Sequence, residues 1–259
     1  MAYAIITGAS KGIGKEIAIE LAKKKYDLFL VARSENLLSD LATKLSKEYS
    51  IKCNYVSADL TTDAGIEKVV TTFLALKSEL EILINNAGYG LWGSFTDVSL
   101  SDTNSLIKIN INLPVNLTYK LIPELSKSKQ AYILNIASTA AYQAVPRLSV
   151  YAACKSFMVV FSRGLSYELR KTSISVTCVS PGTTDTNFMD AAGMFSENIR
   201  KKAQKVSMTP QKVAEFAVKS MFKKKIEAIP GWLNKISVAM IPFSPKSLTE
   251  KIAAGIYEK

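Results

Sequence analysis

Tyr151 and Lys155 stand four residues apart in Tyr-Ala-Ala-Cys-Lys, and Ser138 lies thirteen residues upstream. At that spacing on a helix the phenol and the ammonium share one face. A tyrosine titrates at about 10 and is a poor acid–base catalyst near neutrality. A lysine ammonium one turn away favours the phenolate, so the pair can pass a proton at physiological pH. Ser138, just past an apolar run, can donate a hydrogen bond to a carbonyl oxygen. A Tyr-x-x-x-Lys pair alone arises often by chance; its position in the chain gives this one weight.

A second constellation lies near the N-terminus, in Thr7-Gly8-Ala9-Ser10-Lys11-Gly12-Ile13-Gly14. It sits between the first apolar run and the first helical pattern. Glycines there allow φ > 0 and a close approach of the backbone to a ligand. The opening helix turns unpaired N–H groups and its positive dipole end toward a pyrophosphate. The spacing departs from G-x-G-x-x-G, and such a segment can also be only a tight turn. The second apolar run ends in Val31-Ala32-Arg33-Ser34. A dinucleotide-binding strand that holds a ribose 2′-hydroxyl carries a carboxylate there. Here Arg33 takes that place, and its fork suits the 2′-phosphate of NADP. Lys11 adds a second cation. The alternative is an Arg33 that is merely solvated. Asp59, at the end of the third strand, is placed to receive an adenine amino group, with Leu60 beside it.

Composition narrows the chemistry further. The chain has 259 residues and no histidine. Ser-His-Asp and Cys-His mechanisms are therefore excluded, and acid–base work falls to Tyr, Lys, Asp, Glu or Cys. Cys53, Cys154 and Cys178 follow no zinc or disulfide spacing, so no metal is expected and a reducing, cytoplasmic compartment fits best. No apolar run is long enough to span a bilayer. The run at 1–7 leads straight into the glycine turn and reads as a strand rather than a signal peptide. The formal net charge is +11, with basic runs at 23–25, 200–202 and 223–225. Solvated helix ends account for such runs. Attraction to a phosphorylated cofactor, an acidic carrier protein or a membrane surface is the alternative. No nucleic-acid module accompanies the charge, so nucleic acid is not an expected partner.

The elements that must position these residues alternate along the whole chain. Strands are expected at 2–7, 27–32, 52–57, 82–85, 131–137, 173–180 and 226–229. Several are continuous apolar runs, as in a parallel sheet covered on both faces. Helical patterns lie between them, among them 15–25, with Ile17, Leu21 and Ala22 on one face, and 37–49, with Leu38, Leu41 and Leu45. The pattern predicts one α/β domain over 1–259: a doubly wound, Rossmann-type three-layer sandwich around a mostly parallel sheet. The irregular stretch 181–208 follows a strand's carboxyl end and reads as a substrate lid. Thr209-Pro210 reads as an N-cap and first helical position. The apolar extension 231–259 is expected to pack on the domain or on a second subunit, with a membrane surface or an acyl chain as the other reading.

These motifs jointly resemble the classical short-chain dehydrogenase/reductase family, in its NADP-preferring type, from Thr7 to about Ile229. Thr7 to Gly14 resembles T-G-x-x-x-G-x-G. Asn85-Asn86-Ala87-Gly88 resembles the N-N-A-G segment that steadies the family's central sheet and lines its cofactor. Asn110, Ser138, Tyr151 and Lys155 match its catalytic tetrad. Asn112 competes for the first position, but Asn110 places Pro114 at the usual spacing. Pro181-Gly182 matches the segment beside the nicotinamide, and Thr186 the threonine that contacts its carboxamide. Ala137 and Cys154 replace common serines.

The resemblance implies an NADP(H)-dependent oxidoreductase acting on a carbonyl or hydroxyl group. Tyr151 would protonate the carbonyl oxygen, Ser138 would polarise it, and Lys155 would tune Tyr151 and hold the nicotinamide ribose. Asn110 would hold a water in a relay through Lys155. The resemblance thereby implies a cofactor site of Gly8, Ser10, Lys11, Gly12, Ile13, Gly14, Arg33, Asp59, Leu60, Asn86, Ala87, Gly88, Tyr151, Lys155, Pro181, Gly182 and Thr186. The family is often a homo-oligomer that builds one interface from its C-terminal end, and the longer apolar tail departs at that end. Tyr89, Leu91, Trp92, Tyr142, Val145, Phe188, Met189, Met194 and Phe195 are candidate pocket liners. Their character points to a hydrophobic ketone or a 3-oxoacyl thioester rather than a sugar. The competing expectation is a catalytically weak, cofactor-sensing or membrane-peripheral scaffold of the same fold.

Overall fold

A computed structural model of the chain describes residues 2–184, 192–193 and 207–257. The strands are β1 (Tyr3–Thr7), β2 (Asp27–Ala32), β3 (Cys53–Ser57), β4 (Leu80–Asn85), β5 (Ala131–Ile136), β6 (Ile174–Val179) and β7 (Glu227–Ala228). They form one sheet in the order β3-β2-β1-β4-β5-β6-β7, with every neighbouring pair parallel. Each strand lies within about two residues of its expected place. The largest difference is β4, which begins at Leu80. Glu81 breaks the apolar run, yet the strand continues through it because the Tyr26 hydroxyl donates to the Glu81 carboxylate at 2.7 Å.

The main helices are α1 (Gly12–Lys23), α2 (Glu35–Tyr49), α3 (Asp63–Ala75), α4 (Leu100–Ile107), α5 (Leu113–Leu125), α6 (Ser149–Glu168), α7 (Pro210–Phe222), α8 (Trp232–Met240) and α9 (Lys246–Tyr257). α1 starts earlier than its apolar pattern, inside the glycine turn. Thr209 caps α7 by accepting from the Lys212 amide, and Pro210 fills the first helical position as expected.

Side-chain alternation on β1 shows how the layers form. Ala4 and Ile6 enter one core with Ile17 and Leu21 of α1, Leu38 and Leu45 of α2, and Ala217 and Met221 of α7. Tyr3 and Ile5 enter the other with Val69 and Phe73 of α3 and Leu117 and Leu121 of α5. The central strands are therefore covered on both faces, which is why β1 and β2 are buried along their whole length and read as nearly continuous apolar runs. The strand order reverses between β1 and β4. The crevice outside their carboxyl ends is where open α/β sheets take ligands.

Candidate active site

The switch point is stitched by Thr7. Its buried hydroxyl donates to the Ile84 carbonyl at 3.0 Å and accepts from the amides of Asn86 (3.0 Å) and Ala87 (3.1 Å). The Asn86 side-chain amide donates back to the Thr7 and Gly8 carbonyls at 2.9 and 3.3 Å. This close approach leaves no room for side chains. A Cβ on Gly14 would stand 2.3 Å from the Gly8 oxygen and 2.4 Å from Asn86 Nδ2. Gly8 and Gly12 also hold φ values of +67° and +55°, in the left-handed region.

α1 emerges from this turn with no side-chain cap: Lys11 is its N-cap residue and makes no capping bond. By contrast Thr62, Ser99 and Thr209 cap α3, α4 and α7. The first-turn amides of α1 therefore keep their hydrogen-bonding capacity for an anion. Ser10 is half-buried beside them, Lys11 is exposed, and Ile13 packs down onto the core.

At the end of β2, Arg33 is exposed and makes no ion pair among the described residues. Asp59 is exposed at the end of β3, next to buried Leu60. One Asp59 oxygen serves its own turn, accepting from the Thr61 amide (3.0 Å) and hydroxyl (2.8 Å). Those two bonds hold the carboxyl below its usual value, and nearby Arg33 adds to the effect.

On the other side of the crevice, β5 and α6 bring the Tyr–Lys pair and the serine together. Ser138 follows β5 and caps a 3-10 turn, Thr139–Tyr142, by accepting from the Ala140 amide at 3.1 Å. Tyr151 and Lys155 lie in α6, both buried. Lys155 Nζ is 5.7 Å from the centre of the Tyr151 ring and donates to the Ile136 carbonyl at 3.1 Å. Burial lowers the Lys155 ammonium to about 8. Burial pushes the Cys154 and Cys178 thiols up to about 11, which removes them as bases at neutral pH.

Asn110 sits in a single π-helical turn, Lys108–Asn112, between α4 and α5. The turn rotates the Asn110 side chain inward while Asn112 stays exposed. Its amide donates to the Tyr89 and Leu106 carbonyls, each at 3.0 Å, and its buried Oδ1 has no hydrogen-bond partner among the described residues. A Cβ on Gly88 would lie 2.5 Å from that Oδ1 and 3.5 Å from Lys155 Nζ. Asn110, Gly88 and Lys155 thus converge on one small polar spot.

Two supporting networks escaped the sequence reading. Asn85 donates to Thr118 (3.1 Å) and to Asn135 (2.8 Å), and Asn135 donates to Ser162 at 2.8 Å. This buried chain ties α5 and α6 to β4 and β5. In the second, the Tyr142 hydroxyl donates to Glu227 Oε1 at 2.8 Å and lies 3.0 Å from Ser180 Oγ. Arg163 of α6 holds the other Glu227 oxygen at 2.8 Å. The turn behind Ser138 is thereby tied through β7 to the helix of Tyr151. Burial pushes the Tyr142 phenol well above its ordinary value; the Ser180 bond opposes this and Glu227 adds to it. Tyr142 therefore holds the turn and belongs with Ala137, Met158 and Cys178, a correction to its reading as a pocket liner.

Of the other expected liners, Val145 packs with Tyr151, Leu106 and Leu148, and Tyr89, Leu91 and Trp92 close over them. Thr186, Phe188, Met189, Met194 and Phe195 lie outside the described residues. Around that stretch, Thr184 and Met208 form a bridge, and the Trp92 amide donates to the Ala192 carbonyl at 2.8 Å. Pro181 accepts from the Thr139 amide at 2.8 Å, and Gly182 lies against Asn234 of α8, where a Cβ would come within 2.6 Å. Asn234 is a neighbour of the site that the tail's apolar composition had hidden.

The family model for short chain dehydrogenases matches residues 2–195. The chain belongs to this family and is an oxidoreductase of it. An uncharacterized oxidoreductase of Staphylococcus epidermidis is 29% identical over 204 residues, 79% of this chain and 86% of its own length. A protein of Laccaria bicolor named very-long-chain 3-oxoacyl-CoA reductase is 31% identical over 178 residues, 68% of this chain and 52% of its own. A solved short-chain dehydrogenase from Sphingobium yanoikuyae in complex with NADPH aligns with a TM-score of 0.82 at 28% identity, covering 96% of this chain and 95% of that one.

Proposed function

We propose that the protein is an NADP(H)-dependent reductase of hydrophobic carbonyl compounds, or the corresponding alcohol dehydrogenase. The observation that carries this reading is the buried Tyr151–Lys155 pair, with Lys155 near Asn110 and bonded to the carboxyl end of β5, the strand that Ser138 follows. A dinucleotide fits the residues present. The uncapped start of α1 and the side-chain-free Gly8–Gly14 approach suit its pyrophosphate. Arg33 and Lys11 suit a 2′-phosphate. When bound, NADP(H) supplies or accepts the hydride.

The chain's own residues handle the proton. Tyr151 donates it to the carbonyl oxygen in reduction and removes it from the hydroxyl in oxidation. Ser138, its turn held by Tyr142, donates a hydrogen bond to the same oxygen. Lys155 is still mostly an ammonium at neutral pH, because its value is about 8. Its charge favours the Tyr151 phenolate. Asn110 Oδ1 offers a buried acceptor next to Lys155, suited to a water that returns protons to the pair.

The apolar wall of Val145, Leu91 and Trp92 beside Tyr151 favours a hydrophobic substrate, and the named activity of the Laccaria bicolor relative agrees with a 3-oxoacyl thioester. The test follows NADPH consumption with bulky ketones, 3-oxoacyl thioesters and sugars. Turnover of the first two classes and not of sugars is expected. Turnover confined to sugars would overturn the substrate class, and none with any carbonyl would overturn the activity.

A further inference from the structure

The two C-terminal helices carry their apolar residues on the wrong side for a helix packed on a domain. In α8 the half-buried residues are Asn234 and Val238, with Ile241 continuing the same face. Asn234 lies against Gly182 and donates to the Pro230 carbonyl at 2.9 Å. The opposite face carries Trp232, Leu233, Ile236 and Met240, at helical spacing, each more than half exposed. Phe243, just beyond, is 83% exposed. In α9 Ala253 is buried, while Leu248 and Ile252 stand exposed. No residue of the nine in α8 is buried. A helix that short is marginal in water without a packed face. Seven large apolar side chains exposed within 232–252 mark a segment that something covers.

We propose that this face docks on an anionic membrane surface, with α8 and α9 lying in the plane of the headgroups. The charges decide between a bilayer and a second copy of the chain. The exposed charged residues of the two helices are Lys235, Lys246 and Lys251 against Glu250 alone. The whole chain carries +11. A two-fold contact between copies would bring two faces of the same net positive charge together, which is repulsive. An anionic lipid surface attracts all three, and lysine stems can lie along the apolar layer while their ammonium groups reach the headgroups. Outward tryptophan and phenylalanine with flanking lysines is the composition of an interfacial helix. None of the described helices is long and apolar enough to cross a membrane, so the contact is peripheral. The inner face of α8 also packs over the 3-10 turn behind Ser138, so the docked helix adjoins the site. The proposal concerns this surface and stands whether or not the proposed carbonyl chemistry holds.

Co-sedimentation of the full chain with phosphatidylcholine vesicles, with and without phosphatidylglycerol, tests it. Binding should rise about tenfold or more with the anionic lipid and fall with added salt. Trp232→Ser with Ile236→Ser should remove most of it, and Lys235→Glu with Lys246→Glu should remove the dependence on anionic lipid. All four positions are exposed, and an unchanged melting temperature would show that each variant is folded. Failure of the wild-type chain to sediment with either vesicle would overturn the proposal. So would a concentration-dependent dimer, without vesicle binding, that Trp232→Ser with Ile236→Ser dissociates; the face would then be an interface between copies.

Discussion

The two sides of the crevice are built in opposite ways. On the β5–α6 side Tyr151, Lys155 and Asn110 are buried, Ser138 is half-buried, and their turn and helix are tied by Tyr142, Glu227 and Arg163. On the β1–β3 side Arg33, Lys11 and Asp59 stand in solvent, and among the described residues the bonds that fix the Asp59 carboxylate come from its own turn. Proton transfer depends on placement to a fraction of an ångström, so its groups are held by packing and hydrogen bonds. Recognition of a phosphate by a long cation tolerates movement. Changes on the buried side should therefore abolish turnover, and changes on the exposed side should shift preference.

Tyr151→Phe should have the largest effect, lowering kcat by about a thousandfold or more while NADPH affinity changes little. Retained turnover would remove Tyr151 as proton donor. Gly14→Ala, at the junction of the two sides, puts a Cβ against backbone at 2.3 Å. Overpacking of this kind costs about 1–3 kcal/mol, and the forced shift of α1 should weaken NADPH binding along with the melting temperature. An unchanged melting temperature and affinity would contradict the close packing of the cradle.

The pH dependence follows from Lys155. Its folded value of about 8 lies below its ordinary one, so the ammonium is present below pH 8 and lost above it. The kcat/KM for carbonyl reduction should therefore fall on the alkaline side near that pH. A flat profile to about pH 9.5 would mean that the Lys155 charge is not required. The smallest effect on this side should come from Tyr142→Phe. It removes a hydrogen bond but keeps the ring, and should lower kcat about three- to tenfold with KM nearly unchanged. Glu227→Gln, which can still accept from Tyr142, should be milder. Equal loss of stability and no loss of kcat in Tyr142→Phe would make the network purely structural.

Much of this was legible in the chain. Runs such as 28–32 are apolar throughout because both faces of β2 are buried, so the parallel sheet could be read directly. The glycine turn and the Tyr151–Lys155 spacing carried the site for the same reason: their geometry is local. What could not be read depends on distant partners. Tyr142 and Glu227 are 85 positions apart, and only the β6–β7 pairing brings them together. The π-turn at Lys108–Asn112 has no composition signal, although two candidate asparagines two residues apart hinted that the register there mattered. The apolar tail was visible as composition. That Asn234 faces the domain and Trp232 faces away required the fold.

The most direct test of the account is a titration of the wild-type protein and Arg33→Asp with NADPH and NADH, followed by nicotinamide fluorescence. The wild-type chain should bind NADPH more tightly, and the substitution should weaken NADPH roughly 10- to 100-fold, the range for loss of a charge-assisted bond, with NADH little changed. Tighter NADH binding by the wild-type chain, or an unchanged preference in Arg33→Asp, would contradict the assignment of the exposed side to the 2′-phosphate.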